Sequence, residues 1–123
     1  MKAPILFSLF LATASAHTAF AACGPGDFVT HDESQVSIRI DGRGYTPACL
    51  KVKAGATVTI DASRNHPLQG VENPEGPANP FRRGSEATAP ETQRLNEVGR
   101  YDYFCTRHGD ANGGGMAGTI LVE

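Results

Sequence analysis

Short runs of β-prone residues, separated by turn residues, dominate this sequence and restrict the folds that it can adopt. Val36, Ile38 and Ile40 alternate with polar residues, which is the periodicity of a half-buried strand. Fourteen glycines and eight prolines supply turns between such runs. The further β-prone runs cover residues 45–53, 57–60, 68–71, 92–95, 101–105 and 119–122. These six or seven runs, without an amphipathic helical pattern, predict an all-β fold, either an antiparallel sandwich or a Greek-key β-sandwich or barrel.

Residues 64–90 interrupt the strand pattern. This stretch contains five prolines and scattered polar residues without sustained periodicity, apart from the short run near Leu68–Val71. We expect a long loop region here, and long loops inside small domains are usually functional or mobile.

The N-terminal segment has the features of a secretory signal peptide. Lys2 precedes a short apolar core, Ile5–Ala14, and Ala19–Ala21 supplies the small-x-small pattern of a cleavage site. We therefore expect residues 1–21 to be removed near Ala21 and residues 22–123 to form one domain in the periplasm or another exported location. The alternative, an apolar first strand, does not account for Lys2 and the cleavage pattern. The apolar run is too short to span a bilayer, so we expect no membrane span.

The charge balance excludes some classes of partner. Eleven basic and thirteen acidic side chains give a formal net charge of −2. This balance offers no basic face for nucleic acid and no acidic tract typical of a disordered tail. We expect a monomer that binds no nucleic acid.

The residues with the most distinctive chemistry lie near the C-terminus. Cys105, His108 and Met116 lie in one segment between two β-prone runs, and His66 follows the run that ends at Ile60. Thiolate and thioether are soft ligands, and together with imidazole they suit copper better than calcium or magnesium. Taken singly, a cysteine or a methionine at such a position is most often part of the core.

The chain resembles the cupredoxins, in particular the small plastocyanin-like and pseudoazurin-like members. Order and approximate spacing hold from about residue 36 to the C-terminus, and the pieces that carry the resemblance are Tyr45-Thr46-Pro47, Leu50–Thr59, His66, Gly99–Cys105 and Met116–Ile120. The resemblance implies a cupredoxin-like Greek-key β-sandwich with one type 1 copper ion, Cu(I) or Cu(II), near one end. It also implies that His66, Cys105 and His108 are the equatorial ligands and that Met116 is the axial ligand.

Two features depart from the pattern of this family. Seven residues separate His108 from Met116, where members of this type commonly have four. Pro67 follows His66, where the family often has an asparagine whose side chain ties the two ligand segments together. These departures leave open the strength of the axial Met116 bond, a blue or green colour, and the tie between the ligand segments.

Assigning Cys105 to the metal leaves two of the three cysteines to be explained. We expect a disulfide between Cys23 and Cys49, because export places the chain where disulfides persist. The alternative is lipidation of Cys23, since Phe20-Ala21-Ala22-Cys23 partly matches a lipobox.

The resemblance predicts an electron carrier rather than an enzyme, with a redox protein partner such as a cytochrome or a copper enzyme. His108 is the expected exit for the electron, because the residues around it are small. The expected docking patch comprises Ala111, Gly113–Gly115 and Pro67, and the arginines expected to steer acidic partners are Arg82, Arg83 and Arg107.

Other functions fit the same residues less well. A copper-binding, copper-delivery or copper-resistance protein of the same fold shares the ligands and stays an alternative. A thiol enzyme using Cys105 with His108 as its base lacks an obvious orienting acid and leaves Met116 unused. A binuclear copper centre needs a second cysteine in this segment, and a thioether is a poor ligand for structural zinc.

Overall fold

The computed structural model describes residues 3–5, 20–81 and 85–123, so most of the predicted signal peptide lies outside the described residues. The described part of the chain forms nine strands and no helix. None of its elements is therefore an apolar helix long enough to cross a membrane. The strands are β1 (Val29–Thr30), β2 (Gln35–Asp41), β3 (Gly44–Thr46), β4 (Cys49–Val52), β5 (Ala56–Ile60), β6 (Leu68–Val71), β7 (Glu91–Leu95), β8 (Gly99–Gly109) and β9 (Gly115–Val122).

The strands form two sheets of mixed direction. One sheet has the order β1-β4-β9-β8-β6 and the other has the order β3-β2-β5-β7. The predicted all-β sandwich is confirmed, but the antiparallel sandwich, one of the forms predicted, is not observed, because β1 with β4, β2 with β5, and β4 with β9 are parallel. Successive strands lie in different sheets except for the hairpins β2–β3 and β8–β9, and the crossings between the sheets bring strands together in parallel.

The predicted extended segment at residues 45–53 is two strands that belong to different sheets. β3 pairs antiparallel with β2, whereas β4 pairs parallel with β9. Pro47 lies between them after a cis peptide bond with Thr46. Proline has no N–H to donate to a ladder, so the strand is interrupted where the chain passes between the sheets.

The core lies between the two sheets and follows the alternation predicted from the sequence. In β5, Ala56, Val58 and Ile60 are buried and the threonines between them are half-buried. β8 differs, because the five consecutive residues Tyr101–Cys105 are all buried. The long middle segment lies beside this part of β8, where the buried Asn79 donates to the carbonyl oxygens of Asp102 at 2.8 Å and Val71 at 3.0 Å.

The predicted disulfide between Cys23 and Cys49 is present and anchors the N-terminal segment to β4. Just before Cys23, the Ala21 N–H donates to the carbonyl oxygen of Asn112 at 2.8 Å. The segment therefore lies against the connection between β8 and β9.

Removing this disulfide through the double variant Cys23→Ser/Cys49→Ser should lower the free energy of unfolding by about 3 kcal/mol. The crosslink joins residues 26 positions apart, and opening a loop of that length increases the entropy of the unfolded chain. Urea unfolding of the copper-free protein measures the difference. The wild-type chain unfolded with a reductant should match the double variant, and an unchanged midpoint in both would contradict the prediction.

Candidate metal centre

An irregularity in the pairing of β8 with β9 brings the predicted ligands together. The ladder pairs Phe104 with Ala117 and resumes with Gly109 opposite Gly115. Four residues of β8, Cys105 to His108, therefore lie opposite a single residue of β9, Met116. An excess of residues on one strand bends it and redirects its side chains. The predicted ligands Cys105, His108 and Met116 consequently lie at one end of the five-stranded sheet.

The thiol and the two imidazoles face one another. Cys105 Sγ lies 3.9 Å from His66 Nδ1 and 3.7 Å from His108 Nδ1. The candidate ligand atoms of these three residues all lie within 4.8 Å of one another, and the two imidazole rings are 4.9 Å apart. Cys105 is fully buried and carries a free thiol, while both histidines are half-buried.

These distances fit a trigonal metal site. A first-row metal such as zinc bonds to imidazole nitrogen at about 2.0–2.1 Å and to thiolate sulfur at about 2.3 Å. In a trigonal plane these bonds place nitrogen and sulfur about 3.8 Å apart. The observed sulfur–nitrogen distances of 3.9 and 3.7 Å agree with that value. The donor set of one thiol and two imidazoles is the equatorial set of a type 1 copper site.

Backbone hydrogen bonds hold His66 in place beside Cys105. The backbones of Ser63 and His66 bond reciprocally at 3.1 Å, and the Ser63 hydroxyl accepts from the His66 N–H at 3.2 Å. The Thr106 N–H donates to the carbonyl oxygen of Pro67 at 3.0 Å. A backbone bond thus joins the two candidate ligand segments, although Pro67 occupies the position where the family often has asparagine.

The extra residues between His108 and Met116 form a compact hairpin. β8 continues to Gly109 and β9 begins at Gly115, so the predicted glycine-rich loop is shorter than expected. Gly115 has φ +64°, and a Cβ at Gly109 would collide with the backbone carbonyl of Met116. Glycine at these two positions allows the strands to close beneath the hairpin. Met116 is 1% exposed and belongs to the same buried cluster as Cys105.

Comparison with known proteins shows similarity in fold. No family model matches the chain, and no curated protein matches it in sequence. Among solved structures, a pseudoazurin from Sinorhizobium meliloti is 27% identical, with a TM-score of 0.55, over 76% of this chain and 75% of its own. A mutant fern plastocyanin is 19% identical, with a TM-score of 0.51, over 71% of this chain and 99% of its own. The chain is a cupredoxin-like protein.

The cupredoxin-like chain also resembles one part of a larger enzyme. A copper-containing nitrite reductase from Thermus scotoductus SA-01 is 17% identical, with a TM-score of 0.58, over 85% of this chain. The match covers 30% of the reductase chain. At this identity the similarity shows the shared fold and nothing about nitrite reduction.

Positive charge surrounds His108 in this cupredoxin-like protein. Desolvation lowers the pKa of His108 from its ordinary value, and the charges of Arg43, His66 and Arg107 lower it further. A lowered pKa keeps the imidazole neutral, and therefore able to bind a metal, at lower pH. Arg107 was predicted from the sequence, whereas Arg43, in the exposed turn between β2 and β3, was not. The predicted Arg82 and Arg83 lie outside the described residues.

Tyr45 packs on the inner side of the site with an unpartnered hydroxyl. Its ring meets the ring of Tyr103 edge to face at 4.9 Å. Burial raises the pKa of Tyr45, and the nearby charges of Cys105 and Asp61 raise it further. Among the described residues, none is a hydrogen-bond partner of the buried Tyr45 hydroxyl. The Tyr103 hydroxyl, by contrast, donates to the carbonyl oxygen of Ala48 at 3.1 Å.

The two tyrosines should respond oppositely to loss of the hydroxyl. Tyr45→Phe removes a buried donor without an acceptor and should stabilise the copper-free protein by about 1 kcal/mol. Tyr103→Phe removes a satisfied donor at a buried position and should cost about 1 kcal/mol. Urea unfolding of both variants measures the difference, and destabilisation by Tyr45→Phe would show that its hydroxyl has a partner in solution.

Proposed function

We propose that this chain is an exported small blue copper protein that carries single electrons between redox partners. His66, Cys105, His108 and Met116 would hold one copper ion, which would supply the redox chemistry. The observation that carries the proposal is the spacing of the buried thiol from the two imidazoles, since both sulfur–nitrogen distances fit coordination of one metal ion. The likeness to a pseudoazurin and a plastocyanin supports the same assignment.

The protein holds the donors in one arrangement. When bound, copper supplies a reversible one-electron change between Cu(II) and Cu(I). Cys105 pairs with Leu68 of β6, His66 is held by Ser63, and Thr106 is bonded to Pro67. Because these contacts do not depend on the charge of a metal, the same donor positions serve both oxidation states. Little rearrangement of ligands lowers the barrier to electron transfer.

His108 is the proposed exit for the electron. It is half-buried, whereas Cys105 is fully enclosed, so the imidazole connects the interior of the site with the surface. The exposed Arg43 and Arg107 lie close enough to affect its pKa. Positive side chains at this end favour a partner with an acidic docking face, such as a cytochrome or a copper enzyme. Association with that partner should weaken as the salt concentration rises.

Export is supported by two features of the chain. Residues 1–21 have the pattern of a secretory signal, and the disulfide between Cys23 and Cys49 is typical of oxidising compartments. We place the mature chain, residues 22–123, in the periplasm or an equivalent exported location, as a single copper-binding domain.

One equivalent of Cu(II) added to the exported protein should produce an intense thiolate-to-copper absorption band in the visible region. Ascorbate should bleach the band and an oxidant should restore it, because the thiolate is bound in a site that accepts one electron. Cys105→Ser should abolish the band. His31→Gln, which changes a histidine paired with Glu33 rather than with the site, should retain it as the matched control.

Two outcomes would contradict the proposal at different levels. A wild-type protein that stays colourless, or a Cys105→Ser variant that keeps the colour, would overturn the assignment of Cys105 as a ligand. A coloured protein with slow self-exchange and irreversible voltammetry would keep the copper site and favour copper handling over electron transport.

A further inference from the structure

We propose that Glu86 is a positioning residue for the Cys105 thiolate. Its carboxylate accepts a hydrogen bond from the Thr106 hydroxyl. This bond fixes the segment Cys105–His108, where the pairing of β8 with β9 is interrupted. The inference rests on the proposed function, because Cys105 is taken as the copper ligand. It gives the middle segment of the chain a role at the candidate site.

The position of Glu86 is fixed through its neighbour Ala87. The backbones of Ala87 and Leu68 exchange two hydrogen bonds of 2.8 Å, which form an isolated antiparallel bridge. Leu68 is fully buried and pairs with Cys105 of β8 on its other side. Ala87, Leu68 and Cys105 are therefore successive neighbours across the sheet. Glu86 directly precedes Ala87, which Leu68 separates from Cys105, and the Glu86 side chain reaches Thr106.

The hydrogen bond from Thr106 to Glu86 joins two segments that are far apart in sequence. Thr106 Oγ1 donates to Glu86 Oε2 at 2.5 Å, across a separation of 20 residues. The Thr106 N–H donates to the carbonyl oxygen of Pro67 at 3.0 Å. Thr106 is thus held from its backbone and from its side chain, and it directly follows Cys105 in the part of β8 where the register with β9 is broken.

The two hydrogen bonds of Thr106 hold a part of β8 whose pairing with β9 is interrupted. In a regular ladder, cross-strand hydrogen bonds fix each residue of a strand. Four residues of β8 face one residue of β9, so this support is interrupted where the candidate ligands Cys105 and His108 lie. A hydrogen bond to a carboxylate is stronger than one between neutral groups. Without it, the segment is held at Thr106 by the backbone bond to Pro67.

Glu86 could influence the site by position or by charge, and two substitutions separate these effects. Glu86→Gln keeps an oxygen that accepts from Thr106 and removes the charge. Glu86→Ala removes both the acceptor and the charge. On the partner side, Thr106→Ser keeps the hydroxyl, whereas Thr106→Val removes it with little change in shape. If Glu86 acts by position, variants that keep the hydrogen bond between residues 86 and 106 should behave like the wild type, whether or not residue 86 is charged.

The alkylation rate of Cys105 by iodoacetamide in the copper-free full chain tests this division. Cys105 is fully buried, so the rate reports how often the surrounding segment opens. Glu86→Ala and Thr106→Val should react about tenfold faster than the wild type, because each loses the hydrogen bond between residues 86 and 106 altogether. Glu86→Gln and Thr106→Ser should react within about twofold of the wild-type rate. Glu33→Ala changes an exposed carboxylate on the N-terminal side of β2 and should match the wild type.

The second readout is the spectrum of the same variants with one equivalent of Cu(II). Glu86→Ala and Thr106→Val should shift the thiolate-to-copper band, while Glu86→Gln should leave it in place. A merely structural role would lower the unfolding midpoint without moving the band. Equal alkylation rates in Glu86→Ala and the wild type, or equal acceleration in Glu86→Ala and Glu86→Gln, would overturn the positioning role.

Failure of the Glu86 role and failure of copper binding would give different results. A wild-type chain that gives no thiolate-to-copper band would overturn the copper assignment. If Glu86→Ala still accelerated alkylation in that protein and Glu86→Gln did not, the positioning of the Cys105 thiol by Glu86 would be confirmed independently.

Discussion

The organisation of this molecule depends on one mismatch between neighbouring strands. β8 places four residues opposite a single residue of β9, and three of the four predicted metal ligands lie within that irregularity. In a regular antiparallel ladder Cys105 and His108, three positions apart, would point to opposite faces of the sheet. The bulge lets both side chains face the same space, where His66 completes the group. The glycines at positions 109 and 115 close the ladder again directly beyond it.

The surrounding structure compensates for the support that the bulge removes. Leu68 binds Cys105 from β6, the carbonyl of Pro67 accepts from Thr106, and Glu86 accepts from the Thr106 hydroxyl. The middle segment therefore helps to hold the candidate ligands in place. Residues that lie between 63 and 87 in sequence hold the ligands from one side, and the hairpin at residues 110–114 closes the other. This arrangement holds the candidate ligands in place at the edge of a small domain.

Local pattern predicted the strands and the candidate ligands, but not the interactions that depend on tertiary arrangement. Alternation at Val36, Ile38 and Ile40 identified β2, and the residue types at positions 66, 105, 108 and 116 identified the donor set. The parallel pairing of β4 with β9 was missed, because alternation gives the face of a strand but not its neighbour. Arg43 was missed because only the fold brings its turn near His108. The sequence did not indicate a role for Glu86, because its role as a hydrogen-bond acceptor depends on a contact with Thr106 that the fold creates.

X-ray absorption at the copper edge tests most directly whether the strand mismatch gathers the thiol and two imidazoles into one preformed copper site. The protein carrying one equivalent of copper should show one sulfur and two nitrogen neighbours at short distance, in both the oxidised and the reduced forms. Those distances should change little on reduction, because the backbone contacts of His66, Cys105 and Thr106 hold the donors in place. A copper environment of nitrogen and oxygen only, without a short sulfur neighbour, would contradict the account.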